Sequence, residues 1–187
     1  MSQQFWLNIP NLLTLGRIIA VPFIVWLVLI HQLNWAFWVF VGAGVSDGLD
    51  GYLAKVMNAQ TKIGALLDPI ADKFLLVCVF VVLGVQEFLP IWLVILVAFR
   101  DFAIVIGATL IEFMTHNLTM APNFSSKLNT SIQIILASCV LGVHGLQVEN
   151  MMFLIDGLIY VTALTTAVSG AIYLYQWGQT ITQVNGD

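Results

Sequence analysis

Apolar residues stand in long unbroken runs along this chain. Between Arg17 and Asp47 lie 29 residues without an Asp, Glu, Lys or Arg, interrupted by the polar stretch His31-Gln32-Leu33-Asn34. Further runs follow Lys73, Phe88, Lys127 and Glu149. A helix that crosses a bilayer needs roughly 20 mainly apolar residues, and these runs meet that length. None shows the period-two alternation of a barrel strand. The pattern predicts six helices, over 11–30, 35–56, 62–85, 88–114, 127–145 and 151–177, with a tight turn at 31–34. Phe5, Trp6, Leu7 and Ile9 before Pro10 predict a short N-terminal interfacial helix. The expected fold is an all-α integral membrane protein, a six-transmembrane-helix bundle. The chain 1–187 reads as a single domain with no linker, repeat or low-complexity segment.

Composition sharpens this picture. Of the 187 residues 60% are hydrophobic and only 9% charged, and the mean hydropathy is +0.96. A soluble domain carries about 25% charged residues, so a water-soluble globule is excluded. A disordered chain would need low hydrophobicity and high net charge. Six Lys+Arg against ten Asp+Glu give a net charge of −4 with no basic stripe, which argues against a nucleic-acid partner. In a membrane protein the few charges are the informative residues.

Lys55, Lys62 and Lys127 fall at the second-to-third and fourth-to-fifth connections, whereas the turns at 31–34, 86–90 and 146–150 carry no Lys or Arg. The positive-inside rule then places both termini and those two connections in the cytoplasm. No signal peptide or Arg-rich transit segment is read at the start. The expected location is a bacterial inner membrane, with a mitochondrial inner membrane as the alternative. Cys78 and Cys139 lie inside apolar runs and read as packing residues.

Four of the ten acids share one 26-residue window. It runs Asp47-Gly-Leu-Asp50-Gly51-Tyr-Leu-Ala54-Lys55, then eight residues, then Gly64-Ala-Leu-Leu-Asp68-Pro-Ile-Ala-Asp72. Asp47 and Asp50 are three apart and Asp68 and Asp72 four apart, so each pair shares a helix face. Left uncompensated at mid-membrane, each Asp costs about 2.5–3.5 kcal/mol and the four together roughly 10–14 kcal/mol. Lys55 and Lys73 cannot neutralise all four; divalent cations can. Mg²⁺ favours carboxylate oxygens together with substrate phosphate, and paired ions clamp phosphoryl transfers. The window holds no His or Cys, which argues against zinc. Gly51, Ala54 and Gly64 keep the helix surfaces low enough for a bulky ligand to approach. Gly44-Val-Ser-Asp-Gly48 also has the small-xxx-small spacing of plain helix packing. An EF-hand fails, because position 12 counted from Asp47 is Asn58. Helix capping accounts for one Asp at most. An ion-translocation pathway remains the rival to metal catalysis, since intramembrane carboxylates mark both.

The spacing Asp-x2-Asp-Gly-x2-Ala-Lys-x8-Gly-x3-Asp-x3-Asp resembles the motif of the CDP-alcohol phosphatidyltransferases, at Asp47, Asp50, Gly51, Ala54, Gly64, Asp68 and Asp72. Lys55 departs from it, standing where the family usually has Arg; it keeps the charge but loses the bidentate fork. Asn8-Ile-Pro-Asn11-Leu-Leu-Thr14-Leu-Gly-Arg17 looks like the entry shared by phosphatidylglycerophosphate synthases and CMP-forming cardiolipin synthases. Phe99-Arg100-Asp101, the segment Ser125-Ser126-Lys127-Leu128-Asn129-Thr130-x2-Gln133, and the tail Thr162 to Tyr173 look closer to the cardiolipin synthase branch.

The resemblance implies a phosphatidyl transfer from CDP-diacylglycerol to a glycerol-type, phosphate-bearing acceptor, with release of CMP. Phosphatidylglycerol, giving cardiolipin, is the first expectation and glycerol 3-phosphate the alternative. A cation-coupled transporter is the non-enzyme alternative. It further implies that Asp47, Asp50, Asp68 and Asp72 hold two Mg²⁺ or Mn²⁺ ions and that Asp72 is the catalytic base. Asp47, Gly51, Ala54, Lys55, Gly64 and Asp68 would bind CDP. Arg17, Arg100 and Lys127 would bind the acceptor phosphate, although Arg100 could equally form a charge pair with Asp101 or Glu112. The lipid bilayer is the expected surrounding, and a homodimer the expected assembly.

Overall fold

A computed structural model describes the backbone of Gly16 and of 18–57, 62–115 and 124–184. Within these, the side chains of 47–57, 62–72, 108–115, Glu149, Gly178, Thr180 and 181–184 are outside the described residues. The expected interfacial helix before Pro10 falls outside them too.

Among the described residues the chain is entirely helical. Helix α1 covers Ile18–Leu29. It is followed by α2 (Leu33–Met57), α3 (Lys62–Val85), α4 (Ile91–Thr115), α5 (Phe124–Gly145) and α6 (Met152–Val184), with a 3-10 turn at Glu149–Met151 before α6. Among the described residues two helices are long and apolar enough to cross a membrane, Phe124–Gly145 and the Met152–Trp177 part of α6.

Local chemistry accounts for where these helices begin and end. The α2 ladder opens when the Ala36 N–H donates to the Gln32 carbonyl, so Leu33 and Asn34 are helical and the turn is shorter than their polarity predicts. Pro90 has no N–H, and α4 starts directly after it with Leu93 donating to its carbonyl. Beyond Trp177 the residues turn polar, but none is a proline, and α6 runs on to Val184.

Three turns share one design. The Gln32, Phe88 and Val148 N–H groups donate to the carbonyls of Leu27, Leu83 and Val143. The residue before each, His31, Glu87 and Gln147, has φ of 58°, 62° and 55°. These are Schellman ends of α1, α3 and α5, with a side-chain-bearing residue where glycine is commonest. They gather at one end of the bundle. The His144 ring sits 4.7 Å from that of Phe88. A Cβ on Gly145 would lie 2.7 Å from the backbone of Leu33 and Asn34.

The core runs along the bundle axis. Ile24, Val28, Ala36, Val79, Leu83, Leu93, Leu136, Ala137, Val140 and Leu141 are fully buried. Helix α5 is the hub, packing on α2, α3 and α6, while α4 bridges α3 and α6. Buried positions on α6 step through Ile155, Ile159, Thr162, Thr166, Ser169 and Tyr173, the three-to-four spacing of a single helical stripe. The outward faces carry Trp35, Trp38, Phe74, Ile95, Phe99, Phe102, Tyr160 and Leu164, all exposed.

Candidate active site and anion pocket

Asp47 and Asp50 fall on α2, and Asp68 and Asp72 on α3. The end of α2 at Leu33 and the end of α3 at Val85 both lie at the tight-turn end. At 1.5 Å of rise per residue, Asp47 stands about 21 Å along α2 from that end and Asp72 about 20 Å along α3. The two pairs therefore occupy one level. Their side chains, with those of Gly51, Ala54, Lys55 and Gly64, are outside the described residues. So are Arg17 and the Glu112 side chain. Among the described residues no group of three or more His, Cys, Asp or Glu comes together.

Next to this level is a cavity of about 430 Å³ between α2, α3 and α5. Phe40, Ala43, Gly44 and Val45 line it from α2, Leu75 and Leu76 from α3, and Thr130, Ile134 and Ser138 from α5. Asp47 is three residues beyond Gly44 and seven beyond Phe40. Asp68 and Asp72 precede Leu75 by seven and three. Along the backbone Asp47 therefore follows the α2 lining residues, and Asp68 and Asp72 precede those of α3.

Arg100 is a buried charge. It is only 3% exposed, on α4. Its Nη1 donates to Asp101 Oδ1 at 2.6 Å. Its Nη2 donates to Ser126 Oγ of α5 at 2.9 Å and to Ser169 Oγ of α6 at 2.6 Å. Its Cζ lies 5.9 Å from the centre of the Tyr173 ring, within cation–π range. Among the described residues Nε has no hydrogen-bond partner. Lys73, half-buried on α3 directly after Asp72, stands within electrostatic reach of both Asp101 and Arg100. Of the two ion-pair partners considered for Arg100, the structure shows Asp101. Lys127 is exposed in the first turn of α5, outside this network.

A polar seam leads from Arg100 toward the tight-turn end. Asn129 Oδ1 accepts hydrogen bonds from the hydroxyls of Thr165 and Thr166, each at 2.9 Å. Helices α5 and α6 run antiparallel, so a step along one is matched by the same step back along the other. Ser126 and Ser169 share Arg100, Asn129 meets Thr166, and the same register sets Gln133 and Thr162 at one level. Both of these are buried, and among the described residues the Gln133 amide and the Thr162 hydroxyl have no hydrogen-bond partner, nor has Asn129 Nδ2.

Asp101, Ser126, Ser169 and Tyr173 are thus part of the Arg100 environment without having been singled out as site residues. Ser126, Ser169 and Tyr173 lie inside two of the three segments that carried the resemblance to the cardiolipin synthase branch. What shows them as neighbours is the α5–α6 register, which no local pattern encodes.

The chain is similar to known proteins along most of its length. The chain is 31% identical to a rat cardiolipin synthase (CMP-forming), with 95% of this chain and 63% of the relative covered. The human protein of the same name is 30% identical, with 96% and 64% covered. The chain thus spans slightly less than two thirds of these mammalian relatives. A CDP-diacylglycerol–glycerol-3-phosphate 3-phosphatidyltransferase of Bacillus subtilis is 32% identical over 89% of this chain and 93% of its own length. The family model for CDP-alcohol phosphatidyltransferases matches residues 7–173, and the chain belongs to that family.

Proposed function

We propose that this protein is a membrane enzyme that moves a phosphatidyl group from CDP-diacylglycerol to phosphatidylglycerol, forming cardiolipin and releasing CMP. What supports this reading is the family match over residues 7–173, together with the backbone positions of Asp47 and Asp50 on α2 and of Asp68 and Asp72 on α3. Glycerol 3-phosphate is the second reading, favoured by the Bacillus relative, whose named reaction uses that acceptor and whose length the chain nearly covers.

In this proposal Asp47, Asp50, Asp68 and Asp72 hold two Mg²⁺ or Mn²⁺ ions. The donor set fits such ions: four carboxylates, hard oxygen ligands, in a window without His or Cys. The ions, when bound, neutralise the diphosphate charge and favour departure of CMP. Gly51, Ala54 and Gly64 leave room for the cytidine diphosphate, and Lys55 faces it with a single ammonium. Asp72 accepts the proton of the acceptor hydroxyl. The acceptor oxygen bonds to the phosphorus that bears diacylglycerol, the bond from that phosphorus to the CMP oxygen breaks, and CMP leaves. Arg100 anchors the acceptor phosphate through its free Nε–H, with Arg17 and Lys127 as the other cations on the path.

The exposed apolar belt and the six described helices support a six-span bundle built from a single domain. Lys55, Lys62 and Lys127 support a site facing the cytoplasm, in a bacterial inner membrane or, alternatively, a mitochondrial one. A homodimer is the proposed assembly.

The deciding experiment supplies purified protein with CDP-diacylglycerol and Mg²⁺, and offers phosphatidylglycerol and glycerol 3-phosphate separately. CMP release with phosphatidylglycerol, abolished by EDTA, is the expected result. Release with glycerol 3-phosphate alone moves the assignment to phosphatidylglycerophosphate synthesis. Ion flux into proteoliposomes without CMP formation from any alcohol selects the transporter.

A further inference from the structure

Arg100 and Gly107 are both buried on α4, two helical turns apart, and so share one face. Tyr173 and Trp177 stand one turn apart on α6. Both helices start at the tight-turn end and run the same way. Aromatic rings join the two faces. The Arg100 Cζ lies over the Tyr173 ring, 5.9 Å from its centre. The Tyr173 and Trp177 rings pack edge to face at 6.2 Å. The Trp177 indole rests in turn on Gly107, where a Cβ would overlap its Cη2, Cζ2 and Cζ3 atoms. The contacts thus leave α4 at Arg100, pass through two rings and return to α4 at Gly107.

Each link has a physical reason. Hydrogen bonds to Asp101, Ser126 and Ser169 act near the plane of the guanidinium and fix it within that plane. An aromatic face attracts the cation from above and limits motion out of the plane. Tyr173 is 8% exposed, so this contact is made away from water, where it is strongest. Edge-to-face packing suits the ring quadrupoles of Tyr173 and Trp177. Among the described residues Trp177 Nε1 has no hydrogen-bond partner, so shape places the indole, and the missing side chain at Gly107 admits it. Gly170 is different. A Cβ there would lie 3.7 Å from Arg100 Cγ, an ordinary contact.

We infer that Tyr173 and Trp177 are positioning residues for Arg100. Seated on Gly107, the two rings hold the guanidinium so that Nη1 and Nη2 stay with Asp101, Ser126 and Ser169 and the Nε–H is left for an anion. The inference rests on the function proposed above, in which that anion is the acceptor phosphate, and adds what keeps its anchor in place.

The test measures CMP release against the concentrations of donor and acceptor, using whichever of phosphatidylglycerol and glycerol 3-phosphate the wild type accepts. Tyr173→Leu is expected to raise the acceptor KM between about five- and thirtyfold, the factors for about 1 and 2 kcal/mol of cation–π attraction. The CDP-diacylglycerol KM and kcat stay near those of the wild type. Tyr173→Phe keeps the ring and the wild-type KM. Gly107→Ala evicts the indole and raises the acceptor KM, whereas Gly170→Ala does not. An unchanged acceptor KM in Tyr173→Leu, an equal rise for donor and acceptor, or a Tyr173→Phe variant as impaired as Tyr173→Leu overturns the inference. A second measurement needs no turnover. The chain has two arginines, Arg17 and Arg100, and peptide mass spectrometry follows phenylglyoxal modification of each. Arg100 is expected to react faster in Tyr173→Leu than in the wild type, and at the wild-type rate in Tyr173→Phe. One rate in all three overturns the inference. This reactivity pattern in a protein that forms no CMP leaves the positioning role standing and removes the transferase reading.

Discussion

Arg100 places a permanent positive charge in a 3% exposed position and compensates it within its own helix. The Asp101 carboxylate at 2.6 Å supplies the countercharge, and the two serines take both Nη2 protons. Removing one partner of a buried ion pair strands the other, which costs about 3–5 kcal/mol. Asp101→Ala is therefore expected to lower the thermal unfolding midpoint in detergent far more than Ser126→Ala, which removes one neutral acceptor worth roughly 1.5–3 kcal/mol. Equal shifts for the two variants would show that Asp101 does not carry the charge balance. The importance of Arg100 was legible in the chain, because an arginine inside an apolar run demands an explanation. So was Asp101, as one of two candidate partners. Ser126, Ser169 and Tyr173 were not legible as its neighbours, because serine and tyrosine are unremarkable in a helix until the packing of three helices is known.

Helix existence was legible almost throughout, since the apolar runs are too long for other elements. The ends were less so, and for identifiable reasons. Polarity marked 31–34 as a turn, yet a carbonyl at Gln32 suffices to start α2, and Asn34 lies inside the helix. The Schellman ends use His31, Glu87 and Gln147 where a reader looks for glycine, so composition does not announce them. Glycine instead marks close approach. Gly145 sits where a Cβ would come 2.7 Å from the Leu33 carbonyl carbon and the Asn34 nitrogen, atoms fixed in the first turn of α2. Gly145→Ala is expected to destabilise the protein by about 1–3 kcal/mol through forced separation of α2 and α5. Thermal denaturation in detergent measures this, and Gly157→Ala, whose Cβ would meet open space, is the matched control with little effect.

At the scale of the molecule, the tight turns collect at one end and the acidic level lies toward the other. In the proposed topology that second end faces the cytoplasm. Single cysteines at Lys127 and at Glu87, in a protein with Cys78 and Cys139 replaced, test this. A membrane-impermeant maleimide added from the cytoplasmic side is expected to label position 127 and spare 87. Labelling of both from one side would refute the six-span arrangement. The acidic motif was fully legible in the chain, because its spacing is short and local. The cavity beside it was not, since three helices distant in sequence build it and its apolar lining looks like any other core. The pairing of Arg100 with its own neighbour in the chain also bears on biogenesis. In the proposed six-span arrangement a helix whose net charge is cancelled internally enters lipid at a lower cost, with only the Nη2 donors left to await Ser126 of α5 and Ser169 of α6. Assembly with α5 and α6 is then free to come second, as lateral association of stably inserted helices.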